Sequence, residues 1–135
     1  MGCAPCVALL CSPCPEDRAA LAGLFQLMGV TLVPAHNVIT ASDLLRTRHF
    51  SLALIDLDCD PDWTETVERL RALDPALTVI VYSRLPDEHR WIDALEAGAT
   101  DFISKPFSKP ELDWVLETAL HLEARIMPSR EPSAA

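Results

Sequence analysis

No stretch of the 135-residue sequence approaches the roughly 20 consecutive apolar residues needed to span a bilayer. The N-terminus lacks a basic segment followed by an apolar one, so nothing there reads as a secretion signal. "MGCAPC" has the glycine of a myristoylation start, but Cys6 stands where that motif requires Ser or Thr. Cations are scarce: 11 Lys and Arg against 20 Asp and Glu give a formal net charge of −9. A nucleic-acid surface needs clustered Lys and Arg, and anionic membranes repel an acidic surface, so neither partner is expected. The four histidines, His36, His49, His89 and His121, show no ligand spacing and read as surface residues. Five cysteines are an odd number in a chain with no export signal, which points to a cytoplasmic protein with reduced thiols.

What is present is a regular alternation. Half of the residues are hydrophobic, enough for one domain with a real core. Apolar runs begin at Val7, Val30, Leu52, Leu77 and Asp101, one about every two dozen residues, and each gap carries a helical pattern. Leu21, Leu24, Phe25 and Met28 mark the first helix, which Gly29 would cap. Ala41, Leu44 and Leu45 mark the second, with Thr40 as its N-cap. Val67 with Leu70, and Ile92 with Leu95, mark the third and fourth. Leu112, Val115, Leu116 and Ala119 mark the last, with Ser108 as N-cap. Continuous apolar strands separated by helices predict an α/β, doubly wound, five-stranded parallel sheet. The domain is expected over residues 1–125, followed by a short flexible tail, 126–135, rich in Pro and Ser.

In such a sheet, ligands bind beyond the carboxyl ends of the strands. The first strand ends at Cys11-Ser12-Pro13, the third at Asp56 and the fourth at Ser83, and the fifth runs into "DFISKPF". A carboxylate, a hydroxyl and an ammonium therefore converge on one rim.

From Val7 to Leu122 the sequence resembles the receiver domain of two-component response regulators. The resemblance is carried by "SLALIDLD" around Asp56, "VIVYS" ending in Ser83, "PEDRAALAGLFQLMG" and "EAGATDFISKPF" with Lys105-Pro106. It implies a flavodoxin-like strand order, 2-1-3-4-5, and a non-enzymatic role in phosphorelay signalling. Asp56 would be the phosphoacceptor. Ser83 would hydrogen-bond a phosphoryl oxygen, and Lys105, aimed by a cis Lys105–Pro106 bond, would neutralise it. Phe102 stands at the position of the aromatic switch. The implied partners are a histidine kinase or phosphotransfer protein and a separate effector protein; a homodimer is left open.

The resemblance breaks at the first strand. In that family two adjacent acids there hold Mg²⁺, whereas this sequence has Ser12 and Pro13 on the rim. Mg²⁺ needs hard, preferably anionic oxygen ligands, so its binding is expected to be weak or absent. Asp56 and Asp58 are the remaining candidate metal ligands, with Asp60 and Glu16-Asp17 further away. With one carboxylate facing one ammonium, Asp56 and Lys105 are expected to form a direct ion pair.

The pairs Cys3/Cys6 and Cys11/Cys14 suggest a four-thiolate metal site. A strand between Cys6 and Cys11 would hold them about 16 Å apart, too far for one metal. Cys14 and Cys59, on loops near Asp56, could still approach each other. Three readings stay open: a stand-alone phosphorylatable receiver, a phosphorylation-independent interaction module of the same fold, and a thiol redox or metal sensor using Cys11, Cys14 and Cys59. On the final helix, Trp114 lies about 200° from Leu112, opposite the apolar stripe. It is therefore expected on a partner surface.

Overall fold

The computed structural model describes residues 6–85 and 87–126, with the side chains of 120–126 excepted. Cys3, the tail after 126 and the side chain of His121 lie outside the described residues. Strands and helices alternate as β1 (Val7–Cys11), α1 (Pro15–Leu27), β2 (Thr31–Ala35), α2 (Val38–Thr47), β3 (Leu52–Asp56), α3 (Trp63–Leu73), β4 (Thr78–Ser83), α4 (Glu88–Ala97), β5 (Asp101–Ser104) and α5 (Lys109–Ile126). All strand pairs are parallel and the order is β2-β1-β3-β4-β5, the expected flavodoxin-like arrangement. Three strands, β1, β3 and β4, are buried throughout, as a sheet covered on both faces requires. Pro34 is tolerated because β2 is an edge strand.

Side chains alternate between two cores. Leu9, Cys11, Ala53, Ile55, Val79 and Val81 pack with Ala41, Val67, Leu70 and Ala94 under α2, α3 and α4. Ala8, Leu10, Leu52, Leu54, Ile80 and Tyr82 pack with Leu21 and Phe25 of α1 and Leu112, Val115, Leu116 and Ala119 of α5. The alternation decides which rim groups can meet. Asp56 continues the Leu52–Leu54 face, Ser12 the Ala8–Leu10 face and Lys105 the Ile103 face, all toward α1 and α5. Ser83 continues the Val79–Val81 face, toward α4.

Two helix readings differ from the sequence expectation. Asn37, not Thr40, caps α2, accepting the Thr40 N–H at 2.9 Å, so the helix starts a few residues earlier. In α4 the buried residue is Ala94, while Ile92 and Leu95 are exposed together with Trp91. That helix lies on the sheet through a small side chain and presents its apolar stripe outward. Trp114 of α5 is also exposed, at 54 %.

The connection from α4 into β5 is pinned by Arg71 of α3. Its guanidinium donates to the Gly98 carbonyl at 2.8 and 3.1 Å, to the Thr100 hydroxyl and to the Pro75 and Leu77 carbonyls. Gly98 ends α4 at φ 114°, a left-handed turn suited to glycine. These contacts fix the start of β5 and hence the placement of Lys105.

Candidate functional site

The carboxyl ends of β1, β3, β4 and β5 bring Ser12, Asp56, Ser83 and Lys105 to one rim. Asp56 is fully buried, and both of its carboxylate oxygens are occupied. The Ser12 hydroxyl donates to Oδ2 at 3.0 Å, and the Asp58 backbone N–H donates to Oδ1 at 2.9 Å. Ser12 is itself buried, and its oxygen accepts the Cys14 N–H at 3.1 Å. Pro13 is exposed and offers no side-chain donor or acceptor.

Lys105 precedes a cis bond to Pro106. It does not form the expected ion pair with Asp56. Its ammonium binds Asp17 instead, 3.0 Å from Oδ2 and 3.2 Å from Oδ1, with side-chain exposures of 14 % and 9 %. The reason is positional. Lys105 points toward α1, where Asp17 stands in the first turn, and Asp56 already has two other donors. Tyr82, the register partner of Asp56 on β4, completes the group. Its hydroxyl donates to Asp17 Oδ2 at 3.1 Å, and Lys105 lies 5.5 Å over its ring. The Phe107 ring meets Tyr82 edge-on at 5.0 Å. Burial draws the Lys105 pKa down, but the hydrogen bond and charge of Asp17, with Asp56 and Asp58 beyond, hold the ammonium above its ordinary value. Burial and the nearby carboxylates push the Tyr82 phenol far up, so it stays a neutral donor.

Ser83 faces the other way. Its hydroxyl donates to Asp58 Oδ1 at 2.7 Å, and Arg90 of α4 donates to both Ser83 Oγ, at 3.0 Å, and Asp58 Oδ1, at 3.2 Å. The Arg84 N–H holds Asp58 Oδ2 at 2.8 Å. Desolvation alone would raise the Asp58 pKa, but these donors outweigh it and hold the carboxylate below its usual value. Asp60 is taken by the Thr66 hydroxyl and the Asp62 N–H, and Glu16 is exposed. Phe102 is half-buried against the core under α2 to α4.

Of the described cysteines, Cys11, Cys14 and Cys59 are free thiols. Cys6 and Cys11 sit at opposite ends of β1, as the strand argument requires. Desolvation, then Asp60 and Asp56, push Cys11 to about 12. Desolvation and the neighbouring Asp56 carboxylate push Cys59 to about 11. Both shifts suppress the thiolate, the form that reacts or binds metal. His36, His49 and His89 are exposed. Among the described residues, no three His, Cys, Asp or Glu side chains gather so as to hold a metal ion, and no helix is long and apolar enough to cross a membrane.

The groups expected on one rim do share it, but with partners the sequence does not show. The sequence does not single out Tyr82 or Arg90, and it offers Asp17 as a distant candidate metal ligand on the first helical turn, not as the partner of Lys105. The strand alternation was the available signal, since it puts Tyr82, Asp56 and Lys105 on the face that α1 covers.

The model of the response regulator receiver domain matches residues 14–117, most of the chain. The chain belongs to that family. Receiver domains are signalling modules of phosphorelays rather than enzymes. Among similar proteins, the transcriptional regulatory protein ZraR of Klebsiella oxytoca is 27 % identical over 117 residues, which cover 85 % of this chain and 26 % of ZraR. The chain thus spans about a quarter of the length of the curated relatives it matches. The signal receiver domain of an HD domain-containing protein from Pseudomonas fluorescens Pf-5 superposes with a TM-score of 0.81 at 23 % identity, covering 90 % of this receiver and 99 % of that chain. The receiver domain of sensor histidine kinase PA1611 from Pseudomonas aeruginosa PAO1 gives 0.77 at 19 % identity, over 87 % and 99 %.

Proposed function

We propose that this receiver takes a phosphoryl group on Asp56 from a histidine kinase or phosphotransfer protein, with intrinsically weak use of Mg²⁺, and passes the signal to an effector protein. The observation that carries this reading is the Ser12 hydroxyl bonded to Asp56 where the family has a metal-binding carboxylate. The PA1611 receiver domain has a magnesium ion coordinated in its active-site cleft. The donor set here suits that ion poorly. Ser12 and Pro13 are uncharged, Asp17 is neutralised by Lys105, and Asp58 is engaged by Ser83, Arg84 and Arg90. Near-octahedral Mg²⁺ would have to be held largely by Asp56 and water.

Phosphoryl acceptance then rests on this chain's own groups. An Asp56 oxygen forms the new P–O bond as the bond to the donor nitrogen breaks, and the donor keeps that electron pair. Ser83 and Lys105 can grip the phosphoryl oxygens only after leaving Asp58 and Asp17. Such rearrangement, without a metal to gather charge, makes the step slow. A second reading is a phosphorylation-independent interaction module, favoured by the complete burial of Asp56 and its two satisfied oxygens.

Labelling with phosphoramidate, followed by intact mass spectrometry, separates the two. Slow single phosphorylation is expected, little changed by Mg²⁺ and absent in Asp56→Asn. The Ser12→Asp/Pro13→Asp variant is expected to become strongly Mg²⁺-dependent. Absence of label on Asp56 under all conditions, with the double variant labelled normally, selects the second reading.

A further inference from the structure

Two cavities flank the rim, and their charge differs. The larger, about 690 Å³, opens between α2 and α3 and is lined by Asp60, Asp62, Glu65 and Glu68, with Arg69 and His36. It repels anions. The smaller, about 490 Å³, lies on the α1 side of Lys105. Its apolar wall is formed by Ala20 and Leu24 of α1 with Pro106 and Phe107 after β5, and its polar groups are Lys105, Asp17 and Arg84. Small-molecule sites of this volume join an apolar wall to a few convergent polar groups.

We infer that this smaller cavity is a binding site for a small organic anion, a carboxylate carried on an aromatic or compact aliphatic body. The charge balance supports an anion. Asp17 offsets Lys105, and the exposed Arg84 guanidinium forms no ion pair among the described residues, which leaves one cation in excess. In a chain of net charge −9 such a concavity is an exception to its surroundings. Arg84 can hold a carboxylate through paired N–H donors, while the ligand body covers Leu24, Pro106 and Phe107.

The site has a direct route to the pocket. Lys105 lines the cavity and also stands on the Asp56 rim, so an anion drawing its ammonium outward weakens its hold on Asp17. By linkage, release of Lys105 toward a charged Asp56 alters anion affinity by the same factor. The inference goes beyond phosphorylation and does not rest on it.

The test is a titration of the ¹⁵N-labelled full chain with 1-naphthoate, alongside the neutral 1-naphthylmethanol and the cationic 1-naphthylmethylamine. Naphthoate is expected to give saturable amide shifts at Ala20, Leu24, Lys105 and Phe107. The alcohol should bind about tenfold more weakly and the amine not at all. Arg84→Ala should weaken naphthoate by about tenfold, and Leu24→Trp, which fills the cavity, should abolish binding with the circular dichroism spectrum retained. Asp56→Asn should keep binding, so failure of the phosphoacceptor reading leaves this result standing. No saturable shifts, equal affinity for all three probes, or shifts centred on the cavity between α2 and α3 would each overturn the inference.

Discussion

The β1 end of the rim and the β4–β5 ends have diverged in different ways. At the β1 end the residue types differ from what the resemblance implies: Ser12 and Pro13 stand where two acids are expected. At the β4–β5 ends Ser83 and Lys105 are kept, yet each is bonded to a partner other than Asp56. The two differences are connected through charge. With no acid at the β1 end, Lys105 finds its counter-ion four residues past Pro13, at Asp17 on the first turn of α1. The carboxylate that neutralises the ammonium thus stands on the helix and not at the strand end. Retention of residue type is therefore a weaker statement than retention of a bond.

The most direct way to break this comparison is Asp17→Asn. It removes the charge that compensates a largely buried ammonium and weakens the acceptor of the Tyr82 hydroxyl. We expect a loss of about 3 kcal/mol in urea unfolding, the scale for breaking one partner of a buried pair. Because Lys105 is held above its ordinary value, the pair's contribution is complete below the unfolded lysine value of about 10.4 and is lost as pH rises through the folded one. The variant should lack that alkaline limb. A loss below about 1 kcal/mol would mean that Lys105 swings to Asp56 at little cost, and the two ends of the rim would then be interchangeable.

The fold was legible because strand spacing and alternation are local properties. Runs at Val7, Leu52 and Leu77 could only be buried strands once helical patterns separated them. The rim residues were legible because strand ends are. Their partners were not, since the Lys105–Asp17 contact spans 88 positions and depends on how α1 lies across the sheet. Ile92 and Leu95 show the same limit: periodicity identified an apolar stripe on α4 but could not say that Ala94 faces the core.

A smaller effect is expected at the Ser83 end. Asp58 is held below the usual carboxylate value, so its contribution is present above about pH 3.9 and disappears as pH falls through its lower folded value. Following the Arg84 amide by NMR during acid titration should show release of the Asp58–Ser83–Arg90 link in that range. Asp58 and Arg90 are 27 % and 34 % exposed, so solvent screens the pair. Asp58→Asn is therefore expected to cost about 1 kcal/mol or less. It should also free the Ser83 hydroxyl and speed labelling of Asp56. Faster labelling without any change at Arg84 would place the restraint elsewhere and separate Ser83 from its proposed link.

The smallest effect on stability is expected at Trp114, on the helix that follows the retained Lys105 end. Leu112, Val115, Leu116 and Ala119 fill the core from α5, so the fold does not depend on the indole, which is 54 % exposed on the opposite side. Trp114→Ala should change the unfolding free energy by no more than about 0.5 kcal/mol. A large aromatic facing water is of a type favoured at association hot spots. The same variant should therefore weaken association, either with a second copy, read from concentration-dependent sedimentation, or with a captured effector. If the rim has kept its output on the β4–β5 side, association falls while Asp56 labelling is unchanged. If unfolding instead costs several kcal/mol, as truncating a buried side chain does, the indole is part of the core and α5 has no partner surface at this position.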